Sequence, residues 1–93
     1  MSATYDLAGH VALVTGAGGD FGRTVALRLA GAGARLVLTD LAAAAESLED
    51  TRARGAALLG DDGVLVVPGD VSDAADVAAV FGAAVERFGV PDE

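Results

Sequence analysis

Three glycines directly follow an apolar run at intervals of three residues: Gly16, Gly19 and Gly22. The run, residues 10–15, is typical of a buried parallel strand, and the residues after Gly22 have the spacing of a helix. A sharp turn from a strand into a helix exposes N–H groups at the positive helix end, where pyrophosphate binds. The glycines could also serve only tight packing. Turn, close approach and helix packing coincide in the dinucleotide fingerprint, which favours phosphate binding.

A carboxylate closes the next apolar strand, about twenty residues after the glycine turn, as in dinucleotide-binding sites. There an acid accepts hydrogen bonds from the hydroxyls of the adenosine ribose, and Asp40 occupies this position. It would repel a 2′-phosphate, so NAD is expected as cofactor rather than NADP. Arg23 is expected on the solvent side of its helix, and Asp20 adds negative charge to the turn. The alternative is that Asp40 only caps the second helix.

The composition excludes several kinds of partner and chemistry. The 93 residues carry a formal net charge of −8, which argues against nucleic acid or an anionic membrane as partner. All six basic side chains are arginines, whose guanidinium stays protonated, so no amine is available for proton transfer. The chain has one histidine and no cysteine, which leaves little basis for a metal site. We expect a cytoplasmic location, since there is no cysteine, membrane-length apolar stretch or secretory signal.

The hydrophobic pattern predicts three strand–helix units. The first strand covers residues 10–15, and its helix covers residues 20–32 with one buried stripe: Phe21, Val25 and Leu29. The second strand covers residues 35–40, an apolar run typical of a strand that is covered on both faces. Its helix starts at residue 41 or 42 and runs to residue 54, or as far as residue 59.

The third unit has the clearest periodicity. Its strand covers residues 64–67, and Ser72 or Asp73 is expected to cap its helix. One face of that helix is apolar and is expected to pack in the core: Val77, Val80, Phe81, Ala84, Val85 and Phe88. Gly89 and Pro91 are expected to end it.

The βαβαβα order predicts an α/β fold with a doubly wound parallel sheet and right-handed crossovers. The expected strand order is 3-2-1, with two helices on one face and the third helix on the other. The chain stops before a fourth strand that would lie beside the first. The first strand therefore has an unpaired edge, which invites pairing with another chain. We expect the isolated chain to dimerise, to bind a complementary fragment or to be marginally stable.

Nearly the whole chain resembles the N-terminal part of a short-chain dehydrogenase/reductase, a Rossmann-fold oxidoreductase. Residues 6–16 look like the opening strand of that family, residues 69–72 (Gly-Asp-Val-Ser) like the end of its third strand, and residues 85–89 like the helix before its fourth strand. Compact members carry Thr-Gly-x-x-x-Gly-x-Gly, whereas this chain has Asp20 at the middle glycine. The spacing through Gly19 resembles the longer, epimerase-like members, but the other segments favour the compact group.

The resemblance implies NAD(H)-dependent oxidoreduction of an alcohol/carbonyl pair. It implies that Asp70 and Val71 bracket the adenine ring, the alternative being a turn aspartate beside a core valine. The family's Asn-Asn-Ala-Gly segment, catalytic serine and Tyr-x-x-x-Lys pair would follow residue 93, so no catalytic residue is predicted in this chain. The predicted cofactor-binding residues are Thr15, Gly16, Gly18, Gly19, Phe21, Gly22, Asp40, Leu41, Asp70 and Val71.

Three functions remain open from the sequence. The first is that residues 1–93 are the incomplete, dinucleotide-binding N-terminal part of a short-chain oxidoreductase. The second is a non-catalytic nucleotide-binding or assembly module. The third is a fragment of an epimerase-like member, which rests on Gly19 alone.

Overall fold

The computed structural model describes residue 7 and residues 9–89, which alternate strictly between strands and helices. The elements are β1 (Val11–Thr15), α1 (Asp20–Gly31), β2 (Arg35–Thr39), α2 (Ala45–Leu59), β3 (Val64–Val66) and α3 (Ala74–Phe88), with short 3₁₀ turns at Ala42–Ala44 and Asp61–Gly63. Gly89 ends α3 with a φ of +84°. The second predicted stop signal, Pro91, lies outside the described residues.

The strands form one parallel sheet in the order β1-β2-β3. Residues 11–15 pair with residues 35–39, and residues 36–38 pair with residues 64–66. The predicted Rossmann-type sheet with strand order 3-2-1 is therefore confirmed. Its central strand is covered on both faces, as the apolar run predicted, because Leu36, Val37 and Leu38 are fully buried.

The helices cover both faces of the sheet in the predicted arrangement. One buried cluster joins α1 and α2 to the sheet: Val14, Ala17, Ala26, Ala30, Leu36, Leu38, Leu48 and Val64. The other joins α3 to the opposite face: Val37, Val80 and Ala84. Successive side chains of a strand point to opposite faces, so Val37 belongs to one cluster and its two neighbours to the other.

The predicted buried stripe of α1 is wrong for Phe21. This side chain is 82% exposed, and the buried residues of α1 are Gly22, Ala26 and Ala30. These inner residues are small, and the first of them, Gly22, lies directly against the glycine turn. A Cβ on Gly22 would lie 2.2 Å from the carbonyl oxygen of Gly16. The other two residues of the predicted stripe, Val25 and Leu29, are partly buried.

The predicted apolar face of α3 is buried only in part. Val80 and Ala84 are buried as expected, whereas Phe81 is 50% and Val85 is 41% exposed. The cause is the narrow sheet beneath the helix: among the described residues β1 is its last strand on that side. Leu13 of β1 is likewise partly exposed and lines a pocket together with Phe81.

The ends of the elements mostly agree with the predictions. Each strand is one residue shorter than predicted: β1 begins at Val11 instead of residue 10, β2 ends at Thr39 instead of residue 40, and β3 ends at Val66 instead of residue 67. Helix α2 begins only at Ala45, after the 3₁₀ turn, and continues to Leu59, the longer of the two predicted alternatives. Asp73 caps α3, because its Oδ1 accepts hydrogen bonds from the N–H groups of Ala75 (2.8 Å) and Asp76 (3.3 Å).

Candidate nucleotide-binding site

The carboxyl ends of the strands lie at one edge of the sheet, and the predicted binding residues follow them there. The glycine turn follows β1, Asp40 follows β2, and Asp70 comes soon after β3. Backbone bonds tie these loops together. The N–H of Ala17 donates to the carbonyl of Thr39 (3.1 Å), and the N–H of Gly69 donates to the carbonyl of Asp40 (3.0 Å). This edge is where open α/β sheets bind their ligands.

The backbone requires glycine at two positions of the turn. Gly16 has a φ of +62°, in the left-handed region that side chains disfavour. At Gly22 a Cβ would lie 2.2 Å from the carbonyl oxygen and 2.8 Å from the carbonyl carbon of Gly16. By contrast, Gly19 has a φ of −84°, and a Cβ there would meet nothing closer than 3.5 Å.

The first turn of α1 leaves three backbone donors for a ligand. Its first intrahelical bond runs from the N–H of Arg23 to the carbonyl of Gly19 (2.9 Å). The N–H groups of Asp20, Phe21 and Gly22 come before this bond and have no intrahelical acceptor. Gly19 is the N-cap and has no side chain to accept from them. These donors stand at the positive end of the helix dipole, which attracts an anion.

Asp40 joins the glycine turn to the end of β2. Its Oδ2 accepts a hydrogen bond from the N–H of Gly18 (2.9 Å), and its Oδ1 accepts one from the N–H of Leu41 (2.8 Å). A Cβ on Gly18 would lie 3.1 Å from Oδ2, so glycine leaves room for the carboxylate. The N-cap residues of the 3₁₀ turn and of α2 are Leu41 and Ala44, so Asp40 is not the N-cap of the second helix. The carboxylate thus faces the turn, and each oxygen keeps a lone pair for another donor.

Asp70 closes a tight turn after β3. Its Oδ1 accepts hydrogen bonds from the hydroxyl (2.7 Å) and the N–H (2.9 Å) of Ser72. These two bonds, the hydroxyl first, hold the pKa of the Asp70 carboxyl below its ordinary value. The N–H of Asp70 donates to Oδ2 of Asp76 (2.9 Å). The next residue, Val71, exposes its apolar side chain beside this turn.

An apolar pocket of about 160 Å³ opens beside this turn, between the sheet and α3. The hydroxyl of Thr39 lies buried at this pocket and has no hydrogen-bond partner among the described residues. The other side chains around it are mostly apolar and include Leu13, Val71, Val77, Val80 and Phe81.

The sequence-based prediction missed a hydrogen-bonded network between α1 and α2. Arg23 was expected on the solvent side, but its Nε donates to Oγ1 of Thr51 (3.0 Å) and its Nη2 to the carbonyl of Ser47 (3.1 Å). Its Nη1 lies 3.0 Å from Oδ2 of Asp50. The Thr51 hydroxyl donates to the carbonyl of Ala17 (2.7 Å). A signal was present, since Thr51 shares a helical face with the apolar residues of α2.

Within residues 9–89 no helix has both the length and the apolar character needed to cross a membrane. The same part of the chain contains no group of three or more side chains arranged to hold a metal ion.

The sequence pattern of the short chain dehydrogenases matches residues 10–92. The chain belongs to the short-chain dehydrogenase family. This family consists of oxidoreductases that use NAD or NADP.

Relatives of known name support the assignment. Levodione reductase of Leifsonia aquatica is 42% identical over 88 residues, which cover 95% of this chain and 32% of the reductase. The crystal structure of glucose dehydrogenase of Caenorhabditis elegans superposes with a TM-score of 0.84 at 31% identity, covering 92% of this chain and 36% of that one. The crystal structure of L-sorbose reductase from Gluconobacter frateurii, complexed with NADPH, superposes with a TM-score of 0.82 at 29% identity, covering 94% of this chain and 32% of that one. The chain thus spans about a third of the length of these relatives.

Proposed function

We propose that this chain binds NAD as the cofactor-binding part of an oxidoreductase that acts on an alcohol/carbonyl pair. The observation that carries the proposal is the position of the Asp40 carboxylate, within hydrogen-bond distance of the glycine turn that follows β1. When bound, NAD would accept or donate the hydride. The residues of this chain would bind and orient it.

The glycine turn fits a pyrophosphate. A ligand can approach the backbone closely at Gly16, because the space that a Cβ would fill there is open. The missing Cβ of Gly22 lets the start of α1 pack against the carbonyl of Gly16, which brings the helix N-terminus close to the turn. The donors from the first turn of α1, those of Asp20, Phe21 and Gly22, would hydrogen-bond the phosphate oxygens. Thr15 and Gly19 would support this turn from the end of β1 and from the N-cap.

The charges near the turn favour NAD over NADP. Asp40 would accept hydrogen bonds from the two ribose hydroxyls with its free lone pairs, and it would repel a 2′-phosphate. A 2′-phosphate needs a cation, but the first basic residue after the turn, Arg23, has its guanidinium engaged by α2. The L-sorbose reductase that is similar to this chain was crystallised with NADPH. The cofactor preference of this chain must therefore follow from its own residues.

The adenine ring would lie between the loops that follow β2 and β3. Leu41 and Val71 are both exposed apolar residues on these loops, and they would flank the ring. Asp70 would hold the second loop in shape through its turn with Ser72. We assign no catalytic residue, because the chain has no lysine and hence no Tyr-x-x-x-Lys pair.

The test is a titration of the ¹⁵N-labelled chain with NAD and with NADP, followed by two-dimensional amide NMR. We expect NAD to shift the amides of residues 16–22, Asp40 and Asp70 at lower concentrations than NADP. Asp40→Asn should weaken NAD binding about tenfold, the lower end expected for losing hydrogen bonds to a charged group. The control Asp62→Asn removes the same charge from an exposed site near the opposite end of the sheet and should change neither affinity.

Two results would contradict the proposal separately. An unresponsive spectrum with both nucleotides would contradict dinucleotide binding by these residues. Equal affinity for NAD and NADP in the unmodified chain would contradict only the role of Asp40.

We also propose that the edge of β1 that has no neighbouring strand among the described residues associates with a second copy of the chain. The support is the partly exposed Leu13 on this strand, which lines a pocket together with Phe81 of α3, and the partly exposed Val85 on the same helix. Sedimentation velocity should detect dimers that Phe81→Ser weakens, whereas Leu58→Ser, at an exposed position of α2, should leave them unchanged. A monomer at all concentrations would contradict this association.

The cytoplasmic location also stays a prediction.

A further inference from the structure

The peptide group between Ala17 and Gly18 is held at both of its polar ends. Its carbonyl oxygen accepts a hydrogen bond from the Thr51 hydroxyl (2.7 Å). Its N–H, on Gly18, donates to Oδ2 of Asp40 (2.9 Å). A peptide group is planar, so its carbonyl and its N–H turn together. Any rotation that breaks the bond to Thr51 therefore also moves the donor that faces Asp40.

The hydroxyl of Thr51 has little freedom to turn away. Thr51 is fully buried, and its Oγ1 accepts a hydrogen bond from Nε of Arg23 (3.0 Å). Arg23 is itself fixed on α2 by the carbonyl of Ser47 and the carboxylate of Asp50. The single hydroxyl hydrogen has two possible acceptors, and the carbonyl of Ala17 at 2.7 Å is nearer than that of Ser47 at 3.2 Å. The Thr51 hydroxyl therefore donates its hydrogen from α2 to the Ala17 carbonyl of the glycine turn.

We infer that Thr51, oriented by Arg23, is a positioning residue for ribose recognition and acts through the Ala17–Gly18 peptide on Asp40. This inference rests on the proposed function, in which Asp40 binds the ribose hydroxyls. Gly18 contributes by its lack of a side chain, since a Cβ would lie 3.1 Å from Oδ2 of Asp40. A residue in the middle of α2 thus affects the choice between NAD and NADP without touching the cofactor.

A purely structural role for Thr51 predicts different behaviour. If its hydroxyl only stabilises the packing of α1 on α2, removing it lowers the stability and leaves the geometry at Gly18 unchanged. If it positions the peptide, removing it leaves the buried carbonyl of Ala17 without its donor, and the peptide rotates toward another partner. Asp40 then loses the bond from Gly18 and keeps only the one from Leu41.

The test compares Thr51→Val, which removes the hydroxyl, with Thr51→Ser, which keeps it. The matched control is Thr24→Val, because the Thr24 hydroxyl donates to a carbonyl of its own helix on the exposed side of α1. The readouts are the chemical shift and hydrogen exchange of the Gly18 amide, and the dissociation constants of NAD and NADP. We expect Thr51→Val to shift the Gly18 amide, to weaken NAD about tenfold and to reduce the preference over NADP. Thr51→Ser should restore all three, and Thr24→Val should change none.

Every other result either supports or overturns the inference about Thr51. An unchanged Gly18 amide in Thr51→Val overturns the inference, and so does equal loss of NAD affinity in the valine and serine variants. If Thr51→Val does not fold, Arg23→Leu takes its place: a shifted Gly18 amide supports the inference, and an unshifted one overturns it. If the unmodified chain does not bind NAD, the proposed function fails, while the Gly18 amide still decides whether Thr51 positions the peptide.

Discussion

Replacing Gly22 by alanine tests whether the contact between α1 and the glycine turn shapes this site. The added Cβ would lie 2.2 Å from the carbonyl oxygen of Gly16, well inside the 3.0 Å that real Cβ contacts respect. The neighbouring atoms are backbone and cannot rotate away, so the turn or the helix must move by nearly 1 Å. Overpacking of this kind costs about 1–3 kcal/mol. The higher helix propensity of alanine returns about 1 kcal/mol. Because the obstacle is rigid we expect the upper value, a net loss of about 2 kcal/mol.

Urea denaturation followed by circular dichroism would measure this loss. For a domain of this size, about 2 kcal/mol also lowers the melting temperature by roughly 8–16 °C. The matched control is Gly82→Ala in the interior of α3, where a Cβ would meet nothing within 4 Å. That variant should gain about 1 kcal/mol from helix propensity alone. The two alanine variants should therefore differ by about 3 kcal/mol.

The second readout is cofactor binding. Moving the turn displaces the donors at the start of α1, so Gly22→Ala should also reduce the amide shifts caused by NAD. The reasoning is refuted if Gly22→Ala is as stable as the unmodified chain and shows the same shifts. The contact would then be loose enough to accept a methyl group, and the glycine would have no steric role.

Three further perturbations test other parts of the site. Ser72→Ala removes the hydroxyl that lowers the pKa of Asp70 most, so the Asp70 pKa measured by NMR should rise toward its ordinary value. Because the pKa is lowered in the folded chain, this turn stabilises the fold above pH 3.8, and the contribution disappears as the pH falls through the folded-state pKa. Asp73→Ala removes the cap of α3 and should cost about 1 kcal/mol in urea denaturation, whereas Asp73→Asn should keep most of it; equal losses would contradict the cap. Asp20→Gly removes a carboxylate near the proposed pyrophosphate, a repulsion on the order of 0.5 kcal/mol in water, so NAD should bind about twofold more tightly at low salt. That gain should vanish in about 1 M salt, and a gain that persists would exclude a charge effect.

The sequence predicted what depends on local spacing. The apolar runs, the turn at Gly16 and the acid at Asp40 lie within single strand–turn units, where strand and helix periodicity and turn chemistry are sufficient. Right-handed crossovers predicted a parallel sheet but also allow the order 2-1-3. The order 3-2-1 was therefore an assumption, which the structure confirms.

The errors concern contacts between elements. The spacing of Phe21, Val25 and Leu29 correctly indicates a helix, but it does not reveal that the buried residues of α1 are glycine and alanine. Likewise the apolar pattern of α3 does not show how wide the sheet beneath it is, so Phe81 was expected in the core. Arg23 meets residues of α2 more than twenty positions away, and no local rule links such positions. Helix-face periodicity could have indicated Thr51, but not its acceptor.

The backbone bonds that join the three loops have a thermodynamic consequence. The bonds from Ala17 to Thr39 and from Gly69 to Asp40 connect groups of the protein alone. The conformational entropy of ordering these loops is therefore lost during folding, and it does not recur as a penalty when a ligand arrives. Affinity and folding stability consequently depend on the same few hydrogen bonds. On heating, ligand binding should therefore persist until the carboxyl edge of the sheet unfolds together with the rest of the chain.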